Sequence, residues 1–329
     1  MTNIHSSILF SNPLVSVVIT SYNRAHTIVE TIDSILSQNC NFDIEILIGD
    51  DMSTDCTRVI LLDYQKRYPK IIRLLFHGKN LGIGQNWATV MMHVRGKYVA
   101  LCDDDDYWHD TDKLQQQIEI LESNDKIGLV YTDYRTLDVF SGIVKEKKVQ
   151  NTIQISLQQS LFCGKYHLIP SSCVLRYELI QKYVSLDDYI KFDFPIQDWN
   201  TWILIAKYTE FYHLALSTVT YRISSKSMSN PKDYETVVKK YSKEKLMYKY
   251  ICDKFPTELP FDEQGYDAYV NHVLLGLAYK KLDFPSARKY GSLLSAVGNT
   301  NLKVKCSTTI FTFYSYGLAS KIKAAFKKY

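Results

Sequence analysis

Residues Leu14–Arg24 read LVSVVITSYNR, and they set the fold class that we predict. Leu14–Thr20 is apolar, rich in β-branched residues and almost uninterrupted, which is typical of a strand buried on both faces of a parallel sheet. Within Ala25–Ser37, which follows, apolar residues recur at helical spacing. A buried strand that leads directly into a helix is the first part of a βαβ unit.

The alternation of strand and helix continues along the chain. The further predicted strands are Ile44–Ile48, Ile71–Phe76, Tyr98–Leu101, Gly128–Thr132, Ile169–Leu175 and Phe211–Tyr221, the last as one or two strands. The further predicted helices are Thr57–Tyr68, Gln85–Val94, Lys113–Leu121 and Trp199–Ala206. Residues 134–165 are irregular and predict a hairpin and loops at the sheet edge. The order indicates an α/β fold with a Rossmann-like, mostly parallel sheet flanked by helices.

A change of pattern near Ser224–Pro231 predicts two parts, residues 1–225 and a helical extension, residues 226–329. The extension has helical periodicity over Tyr234–Phe255, Tyr266–Lys280 and Ser286–Val297. The net charge of +4 hides a difference between the parts. Residues 1–225 carry 21 basic and 26 acidic side chains, a net charge of −5, whereas residues 226–329 carry 18 and 9, a net charge of +9. Such asymmetry indicates that the two parts meet different partners.

The composition is that of a globular protein. The chain has 329 residues, of which 46% are hydrophobic and 22% charged, which argues against a disordered or integral membrane protein. The seven cysteines are odd in number and form no CxxC pair, which favours a reducing compartment over a zinc site or a disulfide framework. We expect no signal peptide, and therefore a location in the cytosol or at the cytosolic face of the cell membrane.

Polar residues follow three of the predicted strands, with at most one residue in between. They are Ser21–Arg24, Asp50–Asp51 and Asp103–Asp106. Ligands of open α/β sheets bind beyond the carboxyl ends of the strands. We therefore expect these three groups to meet at one edge of the sheet and to form a site.

Four consecutive aspartates are costly, because neighbouring carboxylates repel one another unless a cation neutralises them. Carboxylate oxygens suit Mg²⁺ or Mn²⁺, and Mg²⁺ takes one or two carboxylates while substrate phosphates supply further oxygens. The alternative is a solvated acidic turn that caps the following helix. After the second group, Ser53 or Thr54 could cap the next helix, with Asp55 placed favourably at its positive end, whereas Asp51, nearer the strand end, is freer to accept a hydrogen bond from a base or a ribose.

Several segments resemble, in order, the successive motifs of family-2 glycosyltransferases. They are SVVITSYNR at Ser16–Arg24, EILIGDDMSTD at Glu45–Asp55, NLGIGQNW at Asn80–Trp87 and KYVALCDDDDYWHDTDKLQQQIEILE at Lys97–Glu122. Enzymes of this family invert the anomeric configuration and have the GT-A fold. The resemblance covers about residues 13–225. The last segment is most similar to a bacterial subgroup that builds O-antigen, capsular and related surface glycans.

The resemblance implies roles for individual residues. Thr20, Tyr22 and Arg24 would line the nucleotide pocket, Asp51 would hold the base, usually uracil, and Asp103 would contact the ribose. Asp105 would coordinate the metal, Mn²⁺ or Mg²⁺, that bridges the two phosphates. At Asp104, which we group with the nucleotide-binding residues, the family usually has a small residue, so this chain carries an additional negative charge there.

Two further residues lie downstream. Asp198, in the segment PIQDW at Pro195–Trp199, is similar in position to the catalytic base of the family, which removes the proton of the acceptor hydroxyl. Asp198 also stands where a helix N-cap is expected, which is the structural alternative. Arg222 resembles the family's arginine near the diphosphate, since guanidinium pairs well with phosphate oxygens.

Together these features predict an inverting, metal-dependent transferase with a nucleotide-sugar donor, in particular a UDP-sugar. The acceptor would be a glycan or a lipid-linked oligosaccharide, and nucleic acid is not expected as a partner. A non-catalytic sugar-nucleotide binder or scaffold is the alternative. For the basic, aromatic segment Thr308–Phe326, contact with an anionic membrane and packing against the protein stay open.

Overall fold

The structure, a computed structural model, describes residues 12–149, 156–162, 168–223 and 233–298. The chain divides into two units, residues 1–225 and residues 226–329. The segment Thr308–Phe326 lies outside the described residues. None of the helices in the described part of the chain has both the length and the apolar character that crossing a bilayer requires.

The first unit contains a mixed sheet with helices between its strands. The strands are β1 (Val15–Ser21), β2 (Ile44–Asp50), β3 (Ile72–Phe76), β4 (Tyr98–Leu101), β5 (Tyr107–Trp108), β6 (Ile127–Asp138), β7 (Val144–Lys147), β8 (Val174–Arg176) and β9 (Glu210–Ile223). The helices are α1 (Ile28–Leu36), α2 (Thr57–Arg67), α3 (Ile83–Met91), α4 (Lys113–Ser123), α5 (Leu157–Phe162), α6 (Tyr177–Tyr183), α7 (Leu186–Phe192) and α8 (Gln197–Ile205).

The strands of the sheet follow the order β3-β2-β1-β4-β8-β6-β9-β5, and β7 pairs with β6. The half formed by β3, β2, β1 and β4 is parallel. In the other half β8 is antiparallel to both of its neighbours, whereas β6 and β9 are parallel. The predicted α/β class is confirmed, and the parallel half is the one that the alternating first 100 residues indicate.

The core explains why β1 is largely apolar. Val15, Val17 and Ile19 are fully buried and belong to one cluster with Ile28 and Ile32 of α1. Val18 is also buried, so β1 is covered on both faces. Burying apolar surface on both faces is what a strand in the middle of a parallel sheet requires.

Two segments differ from the prediction for reasons that are local. Pro170 begins a short 3-10 turn at Pro170–Ser172, because proline has no N–H for a sheet, and the strand begins only at Val174. β6 continues to Asp138, and its register with β9 contains irregularities near Thr132 and Asp133. Such bulges break the regular alternation by which a strand is found in the sequence. Helices α5, α6 and α7 have six or seven residues each, too short for a clear periodic signal.

The described part of the second unit is helical, as predicted. It contains α9 (Tyr234–Lys254), α10 (Glu263–Lys281) and α11 (Phe284–Ala296). Each begins after an aspartate, Asp233, Asp262 or Asp283, whose carboxylate accepts the backbone N–H three residues later. This is the usual N-cap hydrogen bond. Leu275, Ala278, Tyr279, Ala287 and Leu294 form an apolar cluster between α10 and α11.

Helix α3 approaches its neighbours very closely through glycines. A Cβ atom at Gly49 would overlap the side chains of Asn86 and Val90, so β2 and α3 are in direct contact. A Cβ atom at Gly84 would overlap the carbonyl oxygen of Phe194. Both positions need the small residue because the opposing groups leave no room for a side chain.

We predict that Gly84→Ala lowers the free energy of unfolding by about 1–3 kcal/mol, because the new methyl group meets a backbone carbonyl that cannot rotate away. Urea denaturation of the full chain measures it. Gly78→Ala is the matched control, since a Cβ there meets no heavy atom within 4 Å. Equal stability of the two variants would show that Phe194 moves without cost.

Candidate active site

The three polar groups that follow β1, β2 and β4 lie together at one edge of the sheet, as predicted. These strands are parallel neighbours, so their carboxyl ends meet. The backbone N–H of Asp51 donates to the carbonyl oxygen of Ser21 at 2.8 Å, and the Nε of Arg24 lies 3.0 Å from Asp104 Oδ1. The site therefore has contributions from all three segments.

The loop after β1 is fixed to the loop after β2 by Asn23. Its backbone has a positive φ of 56°, which asparagine tolerates better than most residues. The Asn23 Oδ1 accepts the backbone N–H of Thr54 at 2.8 Å, and the Asn23 N–H donates to the Ser53 Oγ at 2.9 Å. The Arg24 N–H donates to the Thr57 Oγ1 at 2.8 Å. These bonds hold the backbone that carries Tyr22 and Arg24.

Asp104, where the chain departs from the usual small residue, is buried and bound to the first loop. Its carboxylate accepts the Arg24 Nε–H at 3.0 Å and the Tyr22 backbone N–H at 3.2 Å, and its carbonyl accepts the Thr27 hydroxyl at 2.8 Å. Burial raises the pKa of Asp104 to about 6, although Arg24 opposes the shift. The additional aspartate thus has a definite structural role, which is to position the Arg24 guanidinium.

Asp105 has a more exposed side chain than Asp104 or Asp106. Its side chain is 38% exposed, and its Oδ2 lies 3.3 Å from Nη2 of Arg24. The Asp105 carbonyl accepts the Arg222 Nη1–H at 2.7 Å, which fixes the backbone from the other side. Of Asp103–Asp106, Asp105 is therefore the residue that can most readily offer a carboxylate to a ligand.

Asp106 is fully buried, and within the group Asp103–Asp106 it is the residue for which the sequence predicts no individual role. It accepts the Ser171 hydroxyl at 2.7 Å and the Arg222 backbone N–H at 3.1 Å, and burial raises its pKa. The Ser171 Oγ also accepts the backbone N–H of Asp103 at 3.0 Å. Ser171, far away in the sequence, thus binds both ends of Asp103–Asp106, which we call the acidic loop, and no local signal indicates this contact.

Asp103 and Asp198 line one small cavity. The other residues that line it are Val18, Thr20, Trp87, Leu101, Cys102, Pro170 and Gln197. Burial raises the pKa of Asp103, and the negative charges of Asp106 and then Asp198 add to the shift. Asp198 is the second residue of α8, and burial raises its pKa although the N–H groups of Trp199 and of Asp198 itself oppose the shift. The structure therefore brings Asp198 to the acidic loop, about 95 residues earlier in the chain.

Asp51 lies at the same edge, but both of its carboxylate oxygens are hydrogen-bonded to backbone groups of the protein. The two oxygens accept the backbone N–H groups of Leu81 at 2.6 Å and Gly82 at 2.9 Å. The Asp51 carbonyl accepts the side-chain amide of Asn80 at 3.1 Å, and the residue is 3% exposed. Asp51 therefore holds the loop that precedes α3, whereas the nearby Tyr22 is exposed.

Arg222 is likewise bound to protein groups. Its guanidinium forms an ion pair with Glu30, donates to the Asp105 carbonyl and lies over the ring of Tyr107, with the Cζ atom 4.7 Å from the ring centre. The side chain is 8% exposed, and burial lowers its pKa. In this arrangement Arg222 stabilises the backbone of the acidic loop at Asp105. Glu30 and Tyr107 were not anticipated, because nothing in their local sequence points to Arg222.

The acidic loop fits a divalent cation only in part. Across the described residues, no three His, Cys, Asp or Glu side chains are grouped so that they alone would hold a metal ion. The exposed carboxylate of Asp105 nevertheless supplies a hard oxygen donor, and Mg²⁺ commonly needs no more than one or two carboxylates when a phosphate is present. The residues thus suit a cation that arrives with a phosphorylated ligand.

Comparison with known proteins agrees with this arrangement. The family described as Glycosyl transferase family 2 matches residues 16–184, just over half of the chain. An uncharacterized protein of Mycobacterium tuberculosis is 36% identical over 122 residues, which is 37% of this chain and 35% of that protein. The match with this curated relative therefore spans about a third of its length.

Two further proteins are similar over more of the chain. The Escherichia coli UDP-Glc:alpha-D-GlcNAc-diphosphoundecaprenol beta-1,3-glucosyltransferase WfgD is 25% identical over 282 residues, 84% of this chain and 98% of that protein. The Staphylococcus aureus TarS 1–349 structure, in complex with UDP-GlcNAc, has a TM-score of 0.57 at 14% identity, covering 94% of this chain and 92% of that one. The likeness to TarS shows a shared fold, the expected GT-A type.

We predict that Asp51→Asn lowers the free energy of unfolding by about 1–3 kcal/mol, because the amide nitrogen cannot accept one of the two N–H groups that the carboxylate binds. Urea denaturation of the full chain is the measurement. Asp43→Asn makes the same chemical change at an exposed position and serves as the control. If both variants unfold at the wild-type urea concentration, Asp51 does not hold the loop.

Proposed function

The chain belongs to family 2 of the glycosyltransferases, and we propose that it transfers a sugar from a UDP-sugar to a hydroxyl of a glycan or lipid-linked oligosaccharide. The observation that carries the proposal is the cavity shared by Asp103 and Asp198. The name of WfgD, which specifies a UDP-Glc donor and a diphosphoundecaprenol-linked acceptor, and the UDP-GlcNAc complex of TarS support this donor and acceptor class.

On this proposal the donor lies along the edge where β1, β2 and β4 end. The exposed ring of Tyr22 offers a face on which a base stacks, and Thr20 and Asp103 provide polar groups on the cavity wall. Arg24, held by Asp104, presents its remaining N–H groups beside Asp105. Guanidinium N–H groups pair well with phosphate oxygens, so Arg24 is the residue that we assign to the diphosphate.

A divalent cation, Mn²⁺ or Mg²⁺, would be held by Asp105 and would supply charge neutralisation for the departing diphosphate. The arrangement around Asp105 supports this assignment. Its backbone is fixed by Arg222, while its carboxylate stays exposed at the edge. Arg24 is the protein's own positive charge beside Asp105. Its Nη2 lies 3.3 Å from the Asp105 carboxylate, which is longer than the 3.0 Å between its Nε and the Asp104 carboxylate.

Asp198 is the residue that we assign as general base. A carboxylate oxygen of Asp198 takes the proton of the acceptor hydroxyl, while the hydroxyl oxygen of the acceptor forms a bond to the anomeric carbon. The bond from the anomeric carbon to the phosphate oxygen breaks on the opposite face, which inverts the configuration, and the nucleoside diphosphate leaves. Because burial raises the pKa of Asp198, the carboxylate is a better proton acceptor than an exposed aspartate.

We predict that Asp198→Asn reduces the turnover number by about 10²–10⁴-fold, since the amide cannot accept a proton, and leaves donor affinity unchanged. Release of UDP from a panel of UDP-sugars and acceptors measures turnover, and the rise in Tm on adding UDP measures binding. Asp187→Asn, an exposed aspartate on α7, controls for the loss of one charge.

Two results would contradict the proposal in different ways. Wild-type turnover in Asp198→Asn would exclude Asp198 as the base. Binding of donor by the wild type without turnover on any acceptor would favour the alternative, a non-catalytic sugar-nucleotide binder.

A second prediction concerns the cation. We expect the wild type to gain thermal stability from UDP more strongly when Mn²⁺ is present, because a ligand that binds only the native state raises its stability. Asp105→Asn should lose this additional gain and keep the gain from UDP alone, whereas Asp43→Asn should keep both. Should chelation of divalent ions leave the wild type's turnover unaltered, the metal assignment is wrong.

A further inference from the structure

The turn between β6 and β7 exposes a group of apolar side chains. We call residues 139–144 the hairpin tip. Its apolar members are Val139, Phe140, Ile143 and Val144, all of which are at least half exposed, and Phe140 is fully exposed. A single exposed apolar side chain needs no explanation, but four on one projecting turn mark an interaction surface.

The hairpin tip is held in one conformation by its own hydrogen bonds. The carboxylate of Asp138 accepts the backbone N–H groups of Phe140 and Ser141, both at 3.0 Å. The Gly142 N–H donates to the Asp138 carbonyl at 2.8 Å, and Gly142 has a φ of 70°, which glycine adopts without strain. Because the turn is fixed, Phe140 is presented outward.

Basic residues follow directly on the hairpin tip. Lys145 and Lys147 belong to β7, Lys148 comes next, and all three are exposed. Glu146 is exposed as well, so residues 145–148 carry a net charge of +2. Lysines on an edge strand also hinder unwanted sheet pairing, but this does not account for the apolar tip. Apolar side chains flanked by lysines are complementary to an anionic bilayer, where the former enter the acyl boundary and the latter lie among the phosphates.

We propose that the hairpin tip docks on an anionic phospholipid bilayer, with Phe140 inserted at the boundary between headgroups and acyl chains. The tip leaves the sheet beside the acidic loop. The Val139 N–H donates to the Ile223 carbonyl at 3.2 Å, and the adjacent Arg222 binds the Asp105 carbonyl. If the proposed function holds, docking brings the site to a lipid-linked acceptor, but the docking itself does not depend on that function.

The test is co-sedimentation of the full chain with vesicles of phosphatidylcholine alone or mixed with phosphatidylglycerol. We expect binding to the mixed vesicles that weakens as salt rises, and weaker binding to phosphatidylcholine. Phe140→Ser should lower the affinity for mixed vesicles about tenfold or more, the effect of leaving one large apolar side chain in water. The double variant Lys145→Glu/Lys147→Glu should do so too. Val59→Ser removes an apolar side chain that is exposed on α2 and should change nothing.

Tryptophan fluorescence distinguishes insertion of the hairpin tip from vesicle binding by another part of the chain. In Phe140→Trp, brominated phosphatidylcholine in the mixed vesicles should quench more tryptophan fluorescence than it does in the wild type. Undiminished binding of Phe140→Ser, no additional quenching in Phe140→Trp, or no binding by the wild type would each overturn the proposal. A dimer that forms without vesicle binding, and that Phe140→Ser disrupts, would also overturn the proposal, because the hairpin tip would then bind a second copy of the chain.

A soluble acceptor keeps the two proposals distinguishable. Turnover on such an acceptor should be the same in Phe140→Ser and the wild type, since Phe140 is fully exposed and contacts no group of the site. If neither protein turned over the soluble acceptor, that result would count against the proposed function, and vesicle binding would still measure docking.

Discussion

Mutual repulsion among four adjacent carboxylates at the end of a buried strand is the constraint on which the site depends. Each carboxylate that is buried needs its own partner, because an unpaired charge away from water is costly. Asp104 has Arg24, and Asp106 has Ser171 and a backbone N–H. Asp105, with its backbone fixed by Arg222, keeps a partly exposed carboxylate beside Arg24, and its proposed role as a cation ligand depends on that exposure. The partners come from distant segments, so the loop takes this form only when the whole first unit has folded.

The parallel half of the sheet could be predicted because its signals are local. β1 and β2 are buried on both faces, and an apolar run of β-branched residues reports that directly. The antiparallel half could not be predicted in detail. The Pro170 turn delays β8, and the irregular register of β6 hides the strand that ends in the hairpin tip. These elements depend on pairing between strands that are distant in the sequence, and a short stretch of sequence does not reveal that pairing.

The site was predictable as a location and less so as a set of contacts. Polar groups after neighbouring parallel strands had to converge, and Asp198 was found only by its resemblance to a family motif, since a helix cap looks the same in sequence. The acceptors and donors that engage Asp51 and Arg222 were not predictable. They lie about 30 and 190 residues away in the sequence, and the resemblance alone suggested that both side chains would face the ligand.

Helix α3 joins the two sides of the site, and this has a consequence for enzyme engineering. The loop that precedes it is held by Asp51, and Gly84 in its first turn lies against the backbone of Phe194, four residues before Asp198. If the proposed function holds, residues 80–82 are a poor place to start when a laboratory wishes to broaden nucleobase preference, because remodelling them would also displace the segment that carries Asp198. Libraries built on Tyr22, whose ring is exposed, would vary the proposed base contact while keeping that segment intact.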